Sequence, residues 1–235
     1  MYLQRALTVP NLCANAPERT IRTMPLQGVI FDLDGTLGDT LPVCFAAFRE
    51  TFRHYLGREY SDREIRAMFG PTEEGILQDL LANRWEEGLR HYLDAYREAH
   101  AQCPAPFPGI RDVLRGLKQR GVPMAIVTGK GPHSAELSLE ALGLTNFFDV
   151  VEAGSARGGV KPQAMRKVVA AWKLDPAQVA CLGDAPSDIR SAHEIGAIAL
   201  GAAWATTADY DLLASHDPHA LFRHVSEFAA WVEEA

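Results

Sequence analysis

Residues 28–40, GVIFDLDGTLGDT, end an apolar run with two carboxylates one residue apart, Asp32 and Asp34. Two further stretches share that layout. An apolar run over 122–127 leads into Thr128, Gly129 and Lys130, and another over 179–182 leads into Gly183 and Asp184, with Asp188 four residues on. Brought together, Asp32, Asp34, Asp184 and Asp188 could not all stay ionised without a counter-charge. Oxygen ligands with neither His nor Cys point to a hard divalent cation, and Mg2+ is the common choice where phosphate completes the shell. Thr128 and Lys161, a hydroxyl and an ammonium opposite such a cation, would cradle a phosphoryl group. Asp32 could then attack phosphorus, and Asp34 could protonate the leaving oxygen and later activate water.

These residues need a scaffold that gathers strand ends. The continuous apolar runs, separated by helical patterns, predict strands of a parallel sheet buried on both faces. Ile110, Val113, Leu114 and Leu117 repeat at helical spacing with Gly121 as a stop, and Met165, Val168, Val169 and Trp172 do the same with Asp175-Pro176 as the expected close. A further strand is predicted over 197–200 and a terminal helix over 222–232. The result is a doubly wound, Rossmann-like α/β core, in which ligands bind at the carboxyl ends of the strands. Between the first two strands the pattern changes to helical stripes only. Phe45, Phe48, Phe52 and Tyr55 share one face, and Leu89, Tyr92, Leu93 and Tyr96 another, as packing surfaces. The predicted organisation is an N-terminal tail over 1–24, a core over 25–40 and 106–235, and an inserted helical cap over 41–105.

With 47% hydrophobic and 23% charged residues, the 235-residue chain has the composition of a globular protein, and its net charge of -7 argues against a nucleic-acid partner. No apolar run approaches a membrane span. Cys13, Cys44, Cys103 and Cys181 are scattered without metal-ligand spacing, as expected of reduced thiols in the cytoplasm. Lys130 and His133 either line the crevice mouth or, as is commoner for loop residues, are solvated. His193 is expected to be packed, and Trp204 to lie in the core. Arg66 and the stretch FGPTEEG at 69–75 read as a helix start capped by Thr72, or as a loop that reads substrate.

The motif DLDGT, the strand end at Thr128, the KP pair at 161–162 and GDAPSD at 183–188 resemble, in order, the four motifs of the haloacid dehalogenase-like hydrolases over residues 28–232. The helical insert after the first motif resembles the cap of the phosphoglycolate phosphatase and β-phosphoglucomutase branch. The resemblance implies Asp32 as nucleophile and metal ligand. It implies Asp34 as general acid and base, with its main-chain oxygen on the metal, and Asp184 as the remaining carboxylate ligand. Thr128, Gly129 and Lys161 take the phosphate-binding positions, and Asp188 orients the metal water or Lys161. Dehalogenases lack the acid at the Asp34 position; phosphonatases need a cap lysine, and no Lys occurs between Gly28 and Gly109. The function implied is a Mg2+-dependent phosphatase acting on a small phosphorylated metabolite. A phosphosugar mutase and a phospho-acceptor signalling domain are the rival readings.

Overall fold

The computed structural model describes residues 26–235. The tail over 1–24 and Cys13 lie outside the described residues. Six strands form one sheet: β1 (Gly28–Phe31), β2 (Met124–Val127), β3 (Val150–Glu152), β4 (Val179–Gly183), β5 (Ile198–Ala202) and β6 (Ala220–Phe222). All are parallel, in the order β3-β2-β1-β4-β5-β6. Among the described residues, ten α-helices accompany them. Between β1 and β2 lie α1 (Leu41–Leu56), α2 (Asp62–Arg66), α3 (Glu73–Leu81), α4 (Trp85–Ala99) and α5 (Ile110–Gln119). The rest are α6 (Pro132–Leu142), α7 (Lys161–Trp172), α8 (Pro186–Ile195), α9 (Tyr210–Ala214) and α10 (Val225–Glu234).

The strands read as unbroken apolar runs because both faces of the sheet are covered. Val29 and Phe31 of β1, Met124 and Ile126 of β2, and Ala180 and Leu182 of β4 face one hydrophobic cluster, shared with α5, α6 and α10. The alternate residues Ile30, Ala125, Val127, Val179 and Cys181 face a second cluster, under α7 and α8. Phe31 sets its ring edge-on to Phe148 and Phe228 at centroid distances of 6.0 and 6.2 Å. The predicted aromatic stripes of the insert meet each other: Phe48 of α1 lies 4.5 Å from Tyr92 of α4, which stacks on Tyr96. These insert residues belong to the same buried cluster as the first face of the sheet.

Two edge strands escaped the sequence reading. β3 and β6 have only three residues each, and Val151 is 43% exposed, so neither carries an extended apolar run. The predicted helix over 222–232 consequently starts late, at Val225, because Phe222 pairs in β6 with Ala202. His193 is exposed rather than packed, with Nε2 3.0 Å from the Asp217 carbonyl. Trp204 is half-buried against the core, its indole N–H donating to the Thr36 carbonyl at 3.1 Å.

α7 ends earlier than Asp175-Pro176. Lys173 takes a left-handed conformation (φ 57°), and the Leu174 N–H closes back onto the Val169 carbonyl; Asp175 instead caps a short turn over Pro176–Gln178. Glycine is the usual residue at such a stop, since a side chain there costs about 1–2 kcal/mol. Part of that gain is lost to the greater freedom of glycine in the unfolded chain. Lys173→Gly should therefore stabilise the fold by about 0.5–1 kcal/mol, read as a higher urea midpoint at unchanged m-value.

Candidate active site

Parallel strands deliver their carboxyl ends to one edge, and a cavity of about 570 Å3 opens there. Asp32 follows β1, with its N–H on the Leu182 carbonyl at 2.8 Å and its side chain almost wholly buried. Thr128 follows β2, buried, with its N–H on the Glu152 carbonyl. Asp184 follows β4 and is half-buried. Lys161 opens α7, where Pro162 suits the first turn. Asp188 sits in the first turn of α8, buried, accepting the Ala185 N–H at 3.1 Å. Gly129 is exposed on the cavity wall.

Lys161 ties this group together. Its ammonium lies 2.5 Å from Asp188 Oδ1 and 3.0 Å from Asp32 Oδ1. The second contact is close enough for an ion pair but lacks hydrogen-bond alignment. Burial opposes the charge on Lys161, yet the Asp188 and Asp32 carboxylates outweigh it and hold its pKa well above that of an ordinary lysine. One carboxylate oxygen each from Asp32, Asp184 and Asp188 lie within 4.8 Å of one another. Burial raises the pKa of Asp32, the Asp188 charge adds to this, and Lys161 opposes it. Asp184 is pushed well above the carboxylate range by burial, then by Asp32 and Asp188.

This donor set fits a hard divalent cation: oxygen ligands only, in a buried acidic cluster with a single lysine for counter-charge. Local backbone makes room for it. Gly35 has φ of +71°, and a Cβ there would fall 2.2 Å from Asp184 Oδ2. The turn after Asp32 is therefore glycine both for its conformation and for its closeness to the third carboxylate.

The Asp34 side chain belongs to a different set of contacts. Its Oδ1 accepts the Thr40 hydroxyl at 2.5 Å, and its Oδ2 lies 3.4 Å from the Lys130 ammonium. Of the two sequence alternatives for Lys130, the solvated one fails: it is 4% exposed and lines the cavity. Burial opposes its charge, but Asp34, with Glu73 adding to it, keeps its pKa well above the usual lysine value. Glu73, the first residue of α3, was missed. It is buried, accepts the Gly131 N–H and the Ser134 hydroxyl, each at 2.6 Å, and lies 3.5 Å from Lys130. The sequence signals were a lysine two residues after the strand-end threonine and a Glu at a helix start, and neither names its partner. His133 is exposed, as expected.

The stretch 69–75 does begin a helix, although Thr72 makes no side-chain cap. It docks on the loop after β3. The Thr72 N–H donates to the Ser155 carbonyl at 3.0 Å, and a Cβ on Gly75 would fall 2.2 Å from the Ala156 carbonyl oxygen. A Cβ on Gly158 would likewise meet the Gly70 carbonyl at 2.7 Å. Phe69 and Pro71 of this stretch line the cavity, as do Arg66 before it and Thr207 and Leu212.

Residues 29–202 match the family model described as haloacid dehalogenase-like hydrolase. A phosphoglycolate phosphatase of Pseudomonas putida is 32% identical over 188 residues, 74% of this chain and 68% of that protein. Pyrophosphatase PpaX of Bacillus pumilus is 30% identical over 217 residues, 92% of this chain and 98% of its own. Among solved structures, a haloacid dehalogenase-like family hydrolase from Streptococcus pneumoniae superposes with a TM-score of 0.71 at 26% identity, covering 88% of this chain and 98% of that one. The chain belongs to the haloacid dehalogenase-like hydrolases, on the Rossmann-like fold expected of them. It is an enzyme of their phosphatase class. Among the described residues, no helix is long and apolar enough to cross a membrane.

The raised acids give a signed prediction. A carboxyl whose folded pKa exceeds its unfolded value, near 3.9, costs nothing below that value and progressively more as pH rises through the folded one. In cation-free protein, Asp184→Asn should raise Tm at pH 7 and lose that advantage toward pH 4, at about 2–4 °C per kcal/mol for a chain of this size. The same variant should show no thermal shift on adding Mg2+, whereas the natural chain gains stability; scanning fluorimetry with and without EDTA reads both.

Proposed function

We propose that this chain is a Mg2+-dependent phosphatase that cleaves a small phosphomonoester through an aspartyl-phosphate on Asp32. Residues 25–40 and 106–235 act as the catalytic core and 41–105 as a cap over the cavity. The observation that carries this reading is Lys161 bridging Asp32 and Asp188 beside Asp184, at the strand ends where Thr128 also stands.

Asp32, Asp184 and Asp188 would surround the cation, with the Asp34 main-chain oxygen as a further ligand. When bound, Mg2+ neutralises the carboxylates and draws charge from the phosphoryl oxygens. Thr128, the Gly129 backbone and Lys161 hold the other oxygens of the phosphoryl group. A carboxylate oxygen of Asp32 bonds to phosphorus as the bond to the leaving oxygen breaks, and Asp34 gives that oxygen its proton. Asp34 then takes a proton from water as the water oxygen attacks phosphorus. The Asp32–phosphorus bond breaks, which frees inorganic phosphate and restores the carboxylate. Asp188, fixed by Lys161 and the Ala185 N–H, keeps the lysine turned toward Asp32.

Phosphoglycolate is the preferred substrate class, ahead of pyrophosphate. Both names come from relatives, and both molecules carry a second acidic group beyond the scissile phosphoryl. Of the three cations that line the cavity, Lys130 and Lys161 face carboxylates; Arg66 makes no ion pair with a described residue. Its guanidinium lies over the Phe45 ring at 5.6 Å and donates to the Thr207 carbonyl at 3.3 Å, leaving donors for a carboxylate. Small phosphorylated metabolites are the partners implied, in the cytoplasm.

Asp32→Asn should lower turnover at least ~1000-fold, on the scale of losing a covalent nucleophile, with an unchanged far-UV spectrum. Turnover should also vanish in EDTA and return with Mg2+. Arg66→Gln should raise KM about tenfold for phosphoglycolate, the scale of one charged hydrogen bond, and at least fivefold less for p-nitrophenyl phosphate. Phosphate release measured across both substrates checks all three outcomes.

A further inference from the structure

We infer that Lys130 is a positioning residue for the Asp34 carboxylate, and that the helical insert takes part in the chemistry through Glu73, the anion that holds Lys130 in place. This rests on the proposed role of Asp34 as the acid that protonates the leaving oxygen.

The argument begins with what surrounds Asp34. One oxygen accepts the Thr40 hydroxyl, and the other faces Lys130 at 3.4 Å. A carboxylate held at both oxygens presents one face to the cavity rather than rotating. Lys130 is itself fully enclosed. Its ammonium has Cys44 Sγ at 3.1 Å, Glu73 Oε1 at 3.5 Å and the Tyr96 ring centre at 4.4 Å. Cys44, Glu73 and Tyr96 all come from the insert, so the lysine stays put only while α1, α3 and α4 stand where they do. Among the described residues of the insert, Glu73 supplies the carboxylate within ion-pair distance of Lys130.

Glu73 is anchored in turn. The Gly131 N–H and the Ser134 hydroxyl, both at the start of α6, bind its two oxygens, and the Tyr92 hydroxyl lies 3.5 Å away. The result is a chain of charges from α6 through Glu73 and Lys130 to Asp34. None of these contacts reaches the phosphoryl site at Asp32, Asp184 and Lys161. Loss of Lys130 should therefore spare phosphoryl binding and impair delivery of the proton.

Leaving groups separate the two effects. An alkyl phosphate releases an alkoxide that needs a proton; p-nitrophenyl phosphate releases a phenolate that does not. Single-turnover rates isolate ester cleavage from the later hydrolysis of the phospho-enzyme. Lys130→Met should slow cleavage of glycerol 3-phosphate or phosphoglycolate about 100-fold, the lower end of general-acid effects, and slow p-nitrophenyl phosphate at least tenfold less. Glu73→Gln should show the same selectivity more weakly. The double variant should be no worse than Lys130→Met alone, since Glu73 acts through the lysine.

If Lys130→Met leaves too little folded protein, the double variant, which buries no unpaired charge at that contact, carries the same test. Equal losses on both ester types, or additive losses in the double variant, would overturn the inference. Asp34→Asn is the control for the underlying reading. If it slows both esters alike, Asp34 is not the acid. If it is selective and Lys130→Met is not, the acid stands and Lys130 does not position it.

Discussion

Three carboxylates and one ammonium crowd the carboxyl ends of β1 and β4, and their charges do not cancel. In a buried setting such an imbalance shifts protons or recruits a cation. The upward pull on Asp32 and Asp184 is the first of these, and the second is what a phosphatase of this family would use. Much of the chain serves this compression. The parallel sheet lines up its strand ends, Gly35 lets the turn pass close to Asp184, and Asp188 reaches back from α8 to Lys161.

A second ionic group, Asp34, Lys130 and Glu73, stands on the same cavity but is built differently. The first group draws only on the core, whereas the second needs a residue of the insert. Its members are enclosed by aromatic rings of α4 and the Cys44 thiol of α1, a setting in which removing one partner is costly, about 3–5 kcal/mol for a buried pair. The charge in the second group therefore depends on how the helices pack, and the charge in the first depends on the turns after the strands.

The first group was legible in the sequence; of the second only Asp34 was, and its partners were hidden. Asp32, Asp184 and Lys161 each follow an apolar run or precede a proline, so period and punctuation locate them. Their convergence follows from the parallel topology alone. Lys130 and Glu73 are 57 residues apart in the chain, in a loop and at a helix start, where charged residues normally face water. Only the seating of the α3 N-terminus against the start of α6 brings them together. The same reason explains β3 and β6: a three-residue strand on a sheet edge is defined by its neighbour's hydrogen bonds, not by its own pattern. Lys173 misled in the opposite direction, since a lysine in a left-handed stop gives no sign that the helix has ended before Asp175.

The seam where α3 and its preceding turn meet the loop after β3 is made of main chain against main chain. Gly75 touches the Ala156 carbonyl and Gly158 touches the Gly70 carbonyl, with one amide hydrogen bond from Thr72. The buried Thr72 methyl fills the gap beside Gly154, and neither Gly75 nor Gly158 leaves space for a side chain of its own. Helix α3 also carries Glu73, so a bulkier residue at Gly75 or Gly158 would displace the counter-charge of Lys130 along with the backbone it crowds.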